Sequence, residues 1–271
     1  MLKVHKSSPH ESLRAFIHSN VQRESQARGP ELVEPVVARL GSILEFQFAN
    51  PYDIPFYGVD MPNPSVPIMV IGPITERRAR IVIRGHVEAL SILFQPLGLH
   101  SLFGVPAWPL ANLGFEGHCI LGRSVSELYQ RLGNENSFFE RAQLLNQFFV
   151  RRLASVRTRH LAGGALTLLM APDQRMTVSD AAQQAALSPR QLERLSLQCV
   201  GMPPQTIPRV ARFQRAMRMK FERSASWTEV AYAAEYHDQM HMIRDFRAFS
   251  GDSPGRTLKQ LEPYHLSRLG A

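Results

Sequence analysis

Hydrophobic residues near the end of the chain recur with the period of an amphipathic helix, and the pattern occurs twice. The two copies lie within 177–194 and 227–244, and a shift of 49 residues superposes them by pairing Val178 with Trp227. Each copy has apolar residues at i, i+3, i+4 and i+7, namely Val178, Ala181, Ala182 and Ala185 in the first and Trp227, Val230, Ala231 and Ala234 in the second. A second helical segment follows a short break in each copy, so the repetition predicts two helix-turn-helix units.

Residue types at the expected helix starts agree with this prediction. Ser188 supplies an N-cap hydroxyl and is followed by Pro189, which suits the first position of a helix. Asp238 can cap the equivalent helix of the second copy. Between the copies, residues 208–223 have the pattern of a basic helix, about 24 Å long at 1.5 Å per residue.

The first half of the chain has a different pattern, in which Pro and Gly separate short apolar runs. Such runs predict β-strands, here over 35–40, 42–48, 68–71, 79–83 and 89–94. The prolines between residues 51 and 67 predict one long loop. Helical periodicity predicts helices over 12–26, 124–132, 137–153 and 160–170.

Together these elements predict an α+β chain with two domains, which its length of 271 residues also favours. Residues 1–152 are expected to form a β-rich domain, barrel-like or mixed, with flanking helices and a role in sensing or dimerisation. Residues 153–271 are expected to form an all-α domain of two helix-turn-helix units joined by a linker helix. We place the boundary after Arg152, where the helix over 137–153 closes the first domain.

The distribution of charge points to a polyanionic partner of the second domain. Of the net charge of +8, residues 153–271 carry +6, from 16 Lys and Arg against 10 Asp and Glu. Basic residues near a helix-turn-helix favour double-stranded DNA as partner, because neutralising phosphates releases counterions.

Other classes of protein find little support. No apolar run reaches the roughly 20 residues of a membrane span, and no signal region follows Lys3 and Lys6, so we expect a cytoplasmic protein without a membrane partner. Cys119 and Cys199 have no disulfide or zinc-finger spacing. His86, His100 and His118 match no metal-site or nucleophile pattern, and no GxGxxG or Walker loop occurs. We therefore expect no catalytic residue, metal or cofactor.

The carboxy-terminal motifs resemble those of the AraC/XylS family of transcription regulators. The resemblance covers about residues 162–261 and includes Leu187-Ser-Pro-Arg-Gln-Leu-Glu-Arg194, Gly201-Met-Pro-Pro204 and Asp238-Gln-Met-His-Met-Ile-Arg-Asp-Phe246, with Phe249, Gly251 and Pro254. It implies two helix-turn-helix units joined by a linker helix. Three positions differ from the family pattern: Ala186 and Glu235 replace the usual turn glycines, and Ser196 replaces a large apolar residue. A non-Gly residue at positive φ costs on the order of 1 kcal/mol, so these turns are either strained or built differently.

The segment Phe94-Gln-Pro-Leu-Gly-Leu-His-Ser-Leu-Phe-Gly-Val-Pro106 is similar to one in the amino-terminal domains of a subgroup of such regulators, although Leu97 stands where Gly is commoner. The resemblance implies a domain that senses an undefined ligand. A small-molecule effector, a second copy of the chain and RNA polymerase are thus further candidate partners.

Two sets of residues are predicted to contact DNA. The second helix of a helix-turn-helix enters the major groove and presents its amino-terminal residues to base edges. In the first unit the candidate base-reading residues are Arg190, Gln191 and Arg194, and in the second they are Gln239, Met240 and Arg244. The candidates for backbone contacts are Thr177, Ser188, Arg212, Thr228, His237, His241 and Arg247.

The predicted function is that of an effector-responsive, sequence-specific transcription regulator, with activation and repression both open. One alternative is an enzyme with a catalytic amino-terminal domain that the helical module targets to nucleic acid. Another is a constitutive DNA-binding protein whose first domain only dimerises.

Overall fold

The computed structural model of the chain describes residues 2–26, 30–58, 61, 63–156, 163–171, 176–222 and 225–262. It has a sheet-rich amino-terminal region and a helical carboxy-terminal region, which confirms the α+β prediction. None of the described helices is both long and apolar enough to cross a membrane.

Eight described strands form two antiparallel sheets in the amino-terminal region. The strands are β1 (Lys3–Ser7), β2 (Ile17–Ser25), β3 (Leu32–Pro35), β4 (Ile43–Gln47), β5 (Ile68–Ile71), β6 (Arg80–Ile83), β7 (Val87–Phe94) and β8 (Gly114–Glu116). Six of them pair in the order β1-β2-β7-β4-β5-β8, and β3 pairs with β6. The predicted strands over 42–48, 68–71, 79–83 and 89–94 are confirmed as β4 to β7. No strand lies between Phe48 and Ile68 in the described part of the predicted loop.

Four helices cover one face of the six-stranded sheet. They are α1 (Gly98–Phe103), α2 (Gly117–Leu121), α3 (Arg123–Gly133) and α4 (Phe138–Ser155). Alternate strand residues such as Leu44, Phe46 and Ile92 pack against this helical layer, where Phe149 is fully buried. The predicted helices over 124–132 and 137–153 are confirmed as α3 and α4. Helix α4 continues three residues beyond the proposed boundary at 152, which stays a prediction.

The opposite face of the sheet encloses charged residues, and they account for a wrong prediction. Residues 12–26, expected to be a helix, form a short 3₁₀ turn at Glu11–Leu13 followed by β2. Arg23 of β2 is 1% exposed and forms ion pairs with Glu34 at 2.9 Å and Glu45 at 3.3 Å. Because this inward position is charged rather than apolar, the alternation that marks a half-buried strand is missing from the sequence.

Seven helices make up the described part of the carboxy-terminal region. They are α5 (Gly163–Met170), α6 (Val178–Gln184), α7 (Pro189–Val200), α8 (Thr206–Glu222), α9 (Trp227–Ala233), α10 (Gln239–Ser250) and α11 (Pro254–Leu261). The pairs α6/α7 and α9/α10 are the two predicted helix-turn-helix units, and α8 is the linker helix predicted over 208–223. The predicted start of α5 at residue 160 and the predicted end of α8 at residue 223 lie outside the described residues.

The two regions share one hydrophobic cluster, which explains a second wrong prediction. Residues 35–40 were expected to be a strand, but only Pro35 belongs to one. Ala38 and Leu40 are buried instead among the apolar residues of the helical region. The amide of Ala38 donates to the carbonyl of Phe249 at 3.0 Å, and the amide of Leu40 donates to Oε1 of Gln214 at 3.1 Å. This segment therefore anchors the sheet region to both α8 and α10.

Candidate nucleic-acid interface

Each helix of the two units begins with a side-chain cap. Thr177, Ser188 and Ser226 accept from the backbone amide three residues ahead, and the side chain at that third position bonds back to the cap residue. Asp238 accepts from the amide of His241 at 2.6 Å, and this bond together with one from His237 lowers the pKa of its carboxyl. The expected N-caps at Ser188 and Asp238 are confirmed. Such caps fix where each helix starts, and hence which residues form its first turn.

The turns within the units are strained at the two positions where the sequence lacks glycine. Ala186 has φ of 52° and Glu235 has φ of 65°. Both turns have the same hydrogen bond: Leu187 N donates to Ala182 O, and Tyr236 N donates to Ala231 O, each at 2.9 Å. The usual turn is thus retained despite the cost of placing a Cβ atom in the left-handed region.

A hydrogen bond compensates for burying the polar Ser196, which stands where the family pattern has a large apolar residue. Ser196 is fully buried in α7, and its hydroxyl donates to the carbonyl of Met202 at 2.6 Å. The bond satisfies a polar atom in the core and ties the end of the recognition helix to the segment that leads into α8.

In the first unit, the predicted base-reading residues lie on the outer surface of α7. Arg190, Gln191 and Arg194 are exposed, while Leu192 is fully buried and Leu195 is half-buried. Oε1 of Gln191 accepts from the amide of Ser188 at 2.8 Å. The capping box thus occupies this oxygen, whereas the two guanidinium groups extend into solvent.

In the second unit, α10 presents a comparable surface. Gln239, Met240 and Arg244 are exposed, and the Met240 side chain is 61% exposed despite its apolar character. Phe246 faces the core and is fully buried, whereas Ile243 is half-buried. An apolar side chain in water at the start of a helix is suited to contact with a base methyl group.

The residues predicted to contact the DNA backbone include helix N-caps, exposed side chains and one half-buried histidine. Thr177 and Ser188 are N-caps, and Thr228 Oγ1 lies 3.5 Å from Gln239 Oε1. His237 is exposed beside Asp238, and Arg247 is exposed on α10. His241 is half-buried with its ring edge-on to Tyr236.

The basic residues of α8 mostly brace the second unit. Arg209 forms an ion pair with Asp245 of α10 at 2.7 Å, and Arg215 forms one with Glu235 in the turn at 3.1 Å. Arg212 stacks on Tyr236, with its guanidinium carbon 5.7 Å from the ring centroid. The sequence identifies the basic residues of α8 but not their acidic partners. Asp245 lies 36 residues after Arg209, and Glu235 lies 20 residues after Arg215.

At its far end, α8 faces the sheet region. Arg218 and Arg215 line a cleft with Arg14 and His18. Burial, with the nearby charges of Lys6 and Arg218, lowers the pKa of His18 to about 4. This part of α8 therefore contacts the amino-terminal region rather than the outer surface.

Two exposed aromatic residues near the helical units were not singled out by the sequence pattern. Tyr232 of α9 is 87% exposed and Trp108 is 61% exposed. Tyr232 is recognisable in retrospect because it falls outside the apolar stripe of its helix. Trp108 has no such signal, since only the fold brings it beside α7.

Among the histidines considered in the sequence, His118 lies near two other polar groups. Its Nδ1 is 3.4 Å from Glu116 Oε1, and its Nε2 is 3.4 Å from Cys119 Sγ. The two partners thus face different ring nitrogens, and all three residues are exposed.

Residues 181–260 match the family model of the helix-turn-helix domain, in its AraC-type form. This range contains both recognition helices and the linker helix between them. Residues 181–260 are therefore a helix-turn-helix domain of the AraC type, and the chain is a DNA-binding transcription regulator. No curated protein sequence matches it.

Solved structures of ToxT are similar to this chain over nearly its whole length. ToxT from Vibrio cholerae has a TM-score of 0.52 and 10% identity, with 96% of this chain and 98% of that chain covered. ToxT with a bound unsaturated fatty acid has a TM-score of 0.52 and 9% identity, with 96% and 95% covered. At these identities the similarity concerns the arrangement of the elements only.

Proposed function

We propose that this AraC-type regulator recognises its operator with the first turns of α7 and α10. The observation that carries the proposal is the repeated arrangement of two N-capped helices with exposed Arg and Gln side chains at their starts. Arg190 and Arg194 are suited to guanine, because a guanidinium group bonds O6 and N7 together. Gln239 is suited to adenine by its two-ended amide, and Met240 to the methyl group of thymine.

Gln191 and Arg244 are the two remaining proposed base-reading residues, and they differ in the groups that they can offer to a base. The capping box occupies Oε1 of Gln191, so its amide nitrogen remains to donate to an acceptor on a base. Arg244 lies on the exposed side of α10, one helical turn after Met240. It extends the reading surface of α10 by about 6 Å along the helix axis.

We further propose that α7 and α10 enter successive major grooves on one face of the duplex. Successive major grooves on one face of DNA are about 34 Å apart, and α8 spans about 25 Å between the two units. Thr177, Ser188, Thr228, His237, His241 and Arg247 then surround the two reading surfaces as phosphate-contacting residues. Arg212 contributes mainly positive charge near the backbone, because its guanidinium group is stacked on Tyr236.

A cavity supports an effector-responsive form of this function. It has a volume of about 320 Å³, and its lining is mostly apolar. The charged part of the lining comprises the cations Arg39 and Arg78 and the carboxylates Glu34, Glu76 and Glu116 from the sheet region. Glu34 pairs with Arg23 and Glu76 pairs with Arg78, and Leu261 of α11 also lines the cavity. We propose that a carboxylate with an apolar body binds there, because ToxT, which shares the fold, is solved with an unsaturated fatty acid. A ligand in contact with both regions would favour one arrangement of the recognition helices over others.

Under this proposal the amino-terminal region senses a ligand and carries out no chemical step, and the protein acts in the cytoplasm, where the DNA is. A second copy of the chain and RNA polymerase remain proposed partners. Thermal unfolding with a series of alkyl carboxylates tests the effector. A rise in the unfolding temperature that Arg39→Ala abolishes supports the site, and no rise with any chain length contradicts it.

DNA recognition is tested by enriching bound duplexes from a random library with the full chain and then measuring affinities. We expect Arg190→Ala to lose discrimination of about 1–3 kcal/mol at one base position. Arg212→Ala is expected to weaken enriched and unrelated duplexes equally. Equal losses on both duplexes for Arg190→Ala would contradict its assignment to a base.

A further inference from the structure

Trp108 of the amino-terminal region lies beside the first recognition helix. Its indole is 61% exposed. It lines a shallow cleft with Pro106 and with residues from three successive turns of α7: Arg190, Glu193, Arg194, Leu197 and Gln198. An aromatic residue from the other region of the chain is therefore part of the surface that carries two proposed base-reading arginines.

The tryptophan is held firmly against α7. The amide of Ala107 donates to the carbonyl of Gln198 at 2.8 Å. The amide of Ala111 donates to the carbonyl of Trp108 at 3.3 Å, which closes a 3₁₀ turn around the tryptophan. At Gly201, a Cβ atom would come within 2.8 Å of the carbonyl oxygen of Ala107, so only glycine permits this close approach. The position of Trp108 relative to the helix is thus set by backbone contacts.

The cleft runs along the exposed side of α7. Arg190, Arg194 and Gln198 are spaced four residues apart, so they follow one side of α7 over about 12 Å. The major groove is about 12 Å wide, with a sugar-phosphate strand along each border. When Arg190 and Arg194 reach base edges, a bordering strand therefore comes to lie against the cleft.

We propose that Trp108 is an additional DNA-contacting residue and that it binds the sugar-phosphate strand bordering the groove entered by α7. The inference rests on the role proposed for Arg190 and Arg194. The indole N–H can donate to a phosphate oxygen, while the flat ring packs on a deoxyribose. Two arginines outnumber Glu193 in the cleft, so its charge suits a phosphate. Such a contact adds affinity without sequence preference.

The two tryptophans of the chain allow a direct test. In a Trp227→Phe variant of the full chain, Trp108 is the only tryptophan. Its emission and its quenching by acrylamide are measured with and without a duplex enriched by the wild-type chain. We expect the duplex to change the emission and to protect Trp108 from acrylamide. Unchanged emission and quenching at saturating duplex would overturn the proposal.

Affinity gives a second readout. Trp108→Ala is expected to weaken binding about three- to tenfold on enriched and unrelated duplexes alike, as loss of one phosphate contact implies. Trp108→Phe keeps an aromatic ring but lacks the indole N–H, so we expect its affinity for DNA to lie between those of the wild-type chain and Trp108→Ala. Phe139→Ala removes another exposed aromatic residue, which lies on α4 outside the cleft, and serves as the matched control.

The outcomes separate this inference from the function on which it rests. Tighter binding by Trp108→Ala would show that the loop obstructs the groove and would overturn the proposal. Suppose that Arg190→Ala loses base discrimination as expected, while the duplex changes neither the emission nor the quenching of Trp108. This result would refute the tryptophan contact but leave the proposed role of Arg190 intact. A wild-type chain that retains no duplex at low salt would refute both.

Discussion

Arg215 of the linker helix and Glu235 of the second turn form an ion pair across the helical region, with Nη1 and Oε2 separated by 3.1 Å. Their side chains are 10% and 30% exposed. The pair links α8 to the residue that adopts positive φ between α9 and α10. It thus explains why a glutamate occupies a position where glycine would be less strained: the side chain gives the turn a fixed contact with the linker helix.

Removing one partner of this pair should destabilise the helical region. Arg215→Ala leaves Glu235 without its cation in a half-buried site, and we expect a loss of about 1–3 kcal/mol in the free energy of unfolding. The change in unfolding free energy is measured by urea titration of the two single variants and the double variant. A double-mutant cycle with no coupling would contradict the pair's contribution.

The turn at Ala186 has no such contact in the described structure and is predicted to gain from glycine. Its φ of 52° disfavours any residue with a Cβ atom. We expect Ala186→Gly to raise the free energy of unfolding by about 0.5–1 kcal/mol. Ala185→Gly is the matched control. The φ of Ala185 is −89°, which suits alanine, so we expect glycine at this position to lower the free energy of unfolding. Equal effects in the two variants would show that the turn is not strained.

Much of the helical region was predictable from the sequence, for physical reasons that apply locally. Helix caps such as Ser188 and apolar periodicity act over one or two turns, so they are visible in short stretches of sequence. The sheet region depends on distant pairing: β2 contains Arg23, whose buried partners Glu34 and Glu45 lie on other strands. A charge that pairs inside the protein cannot be told from a solvated charge by its position in the sequence.

The same limit applies to the candidate interface. Exposure of Arg190 and Arg194 followed from helical spacing, because Leu192 marks the buried side of α7. The roles of Arg209 and Arg215 did not follow, since their partners come from another helix and a turn. Trp108 becomes part of the interface only through the packing of the two regions.

The cleft between the two regions should make stability depend on pH. The pKa of His18 in the folded protein is lowered from 6.5 to about 4 by burial and by the charges of Lys6 and Arg218. Between these values the unfolded chain binds a proton that the folded chain does not, so stability falls as the pH falls from about 6.5 to about 4. We expect His18→Gln to flatten this slope in urea titrations at several pH values. An unchanged slope would exclude His18 as its source.

The contact between Gly201 and Ala107 should control how the sheet region holds the first recognition helix. Gly201 has φ of 77°, and a Cβ atom there would lie 2.8 Å from both the carbonyl oxygen of Ala107 and Cγ of Pro73. Because these neighbours are backbone and a rigid ring, Gly201→Ala requires the two regions to separate or the helix end to distort. We expect a loss of about 1–3 kcal/mol in the free energy of unfolding.

A matched control and a second measurement distinguish separation from simple unfolding. Gly255→Ala places its Cβ atom where nothing lies within 4 Å, and alanine suits a helix better than glycine, so this change should not lower the stability. Small-angle scattering of folded Gly201→Ala is expected to give a larger radius of gyration than the control. If Gly201→Ala remains as stable and as compact as Gly255→Ala, the sheet region does not fix the position of α7, and the placement of Trp108 in the DNA interface loses its structural basis.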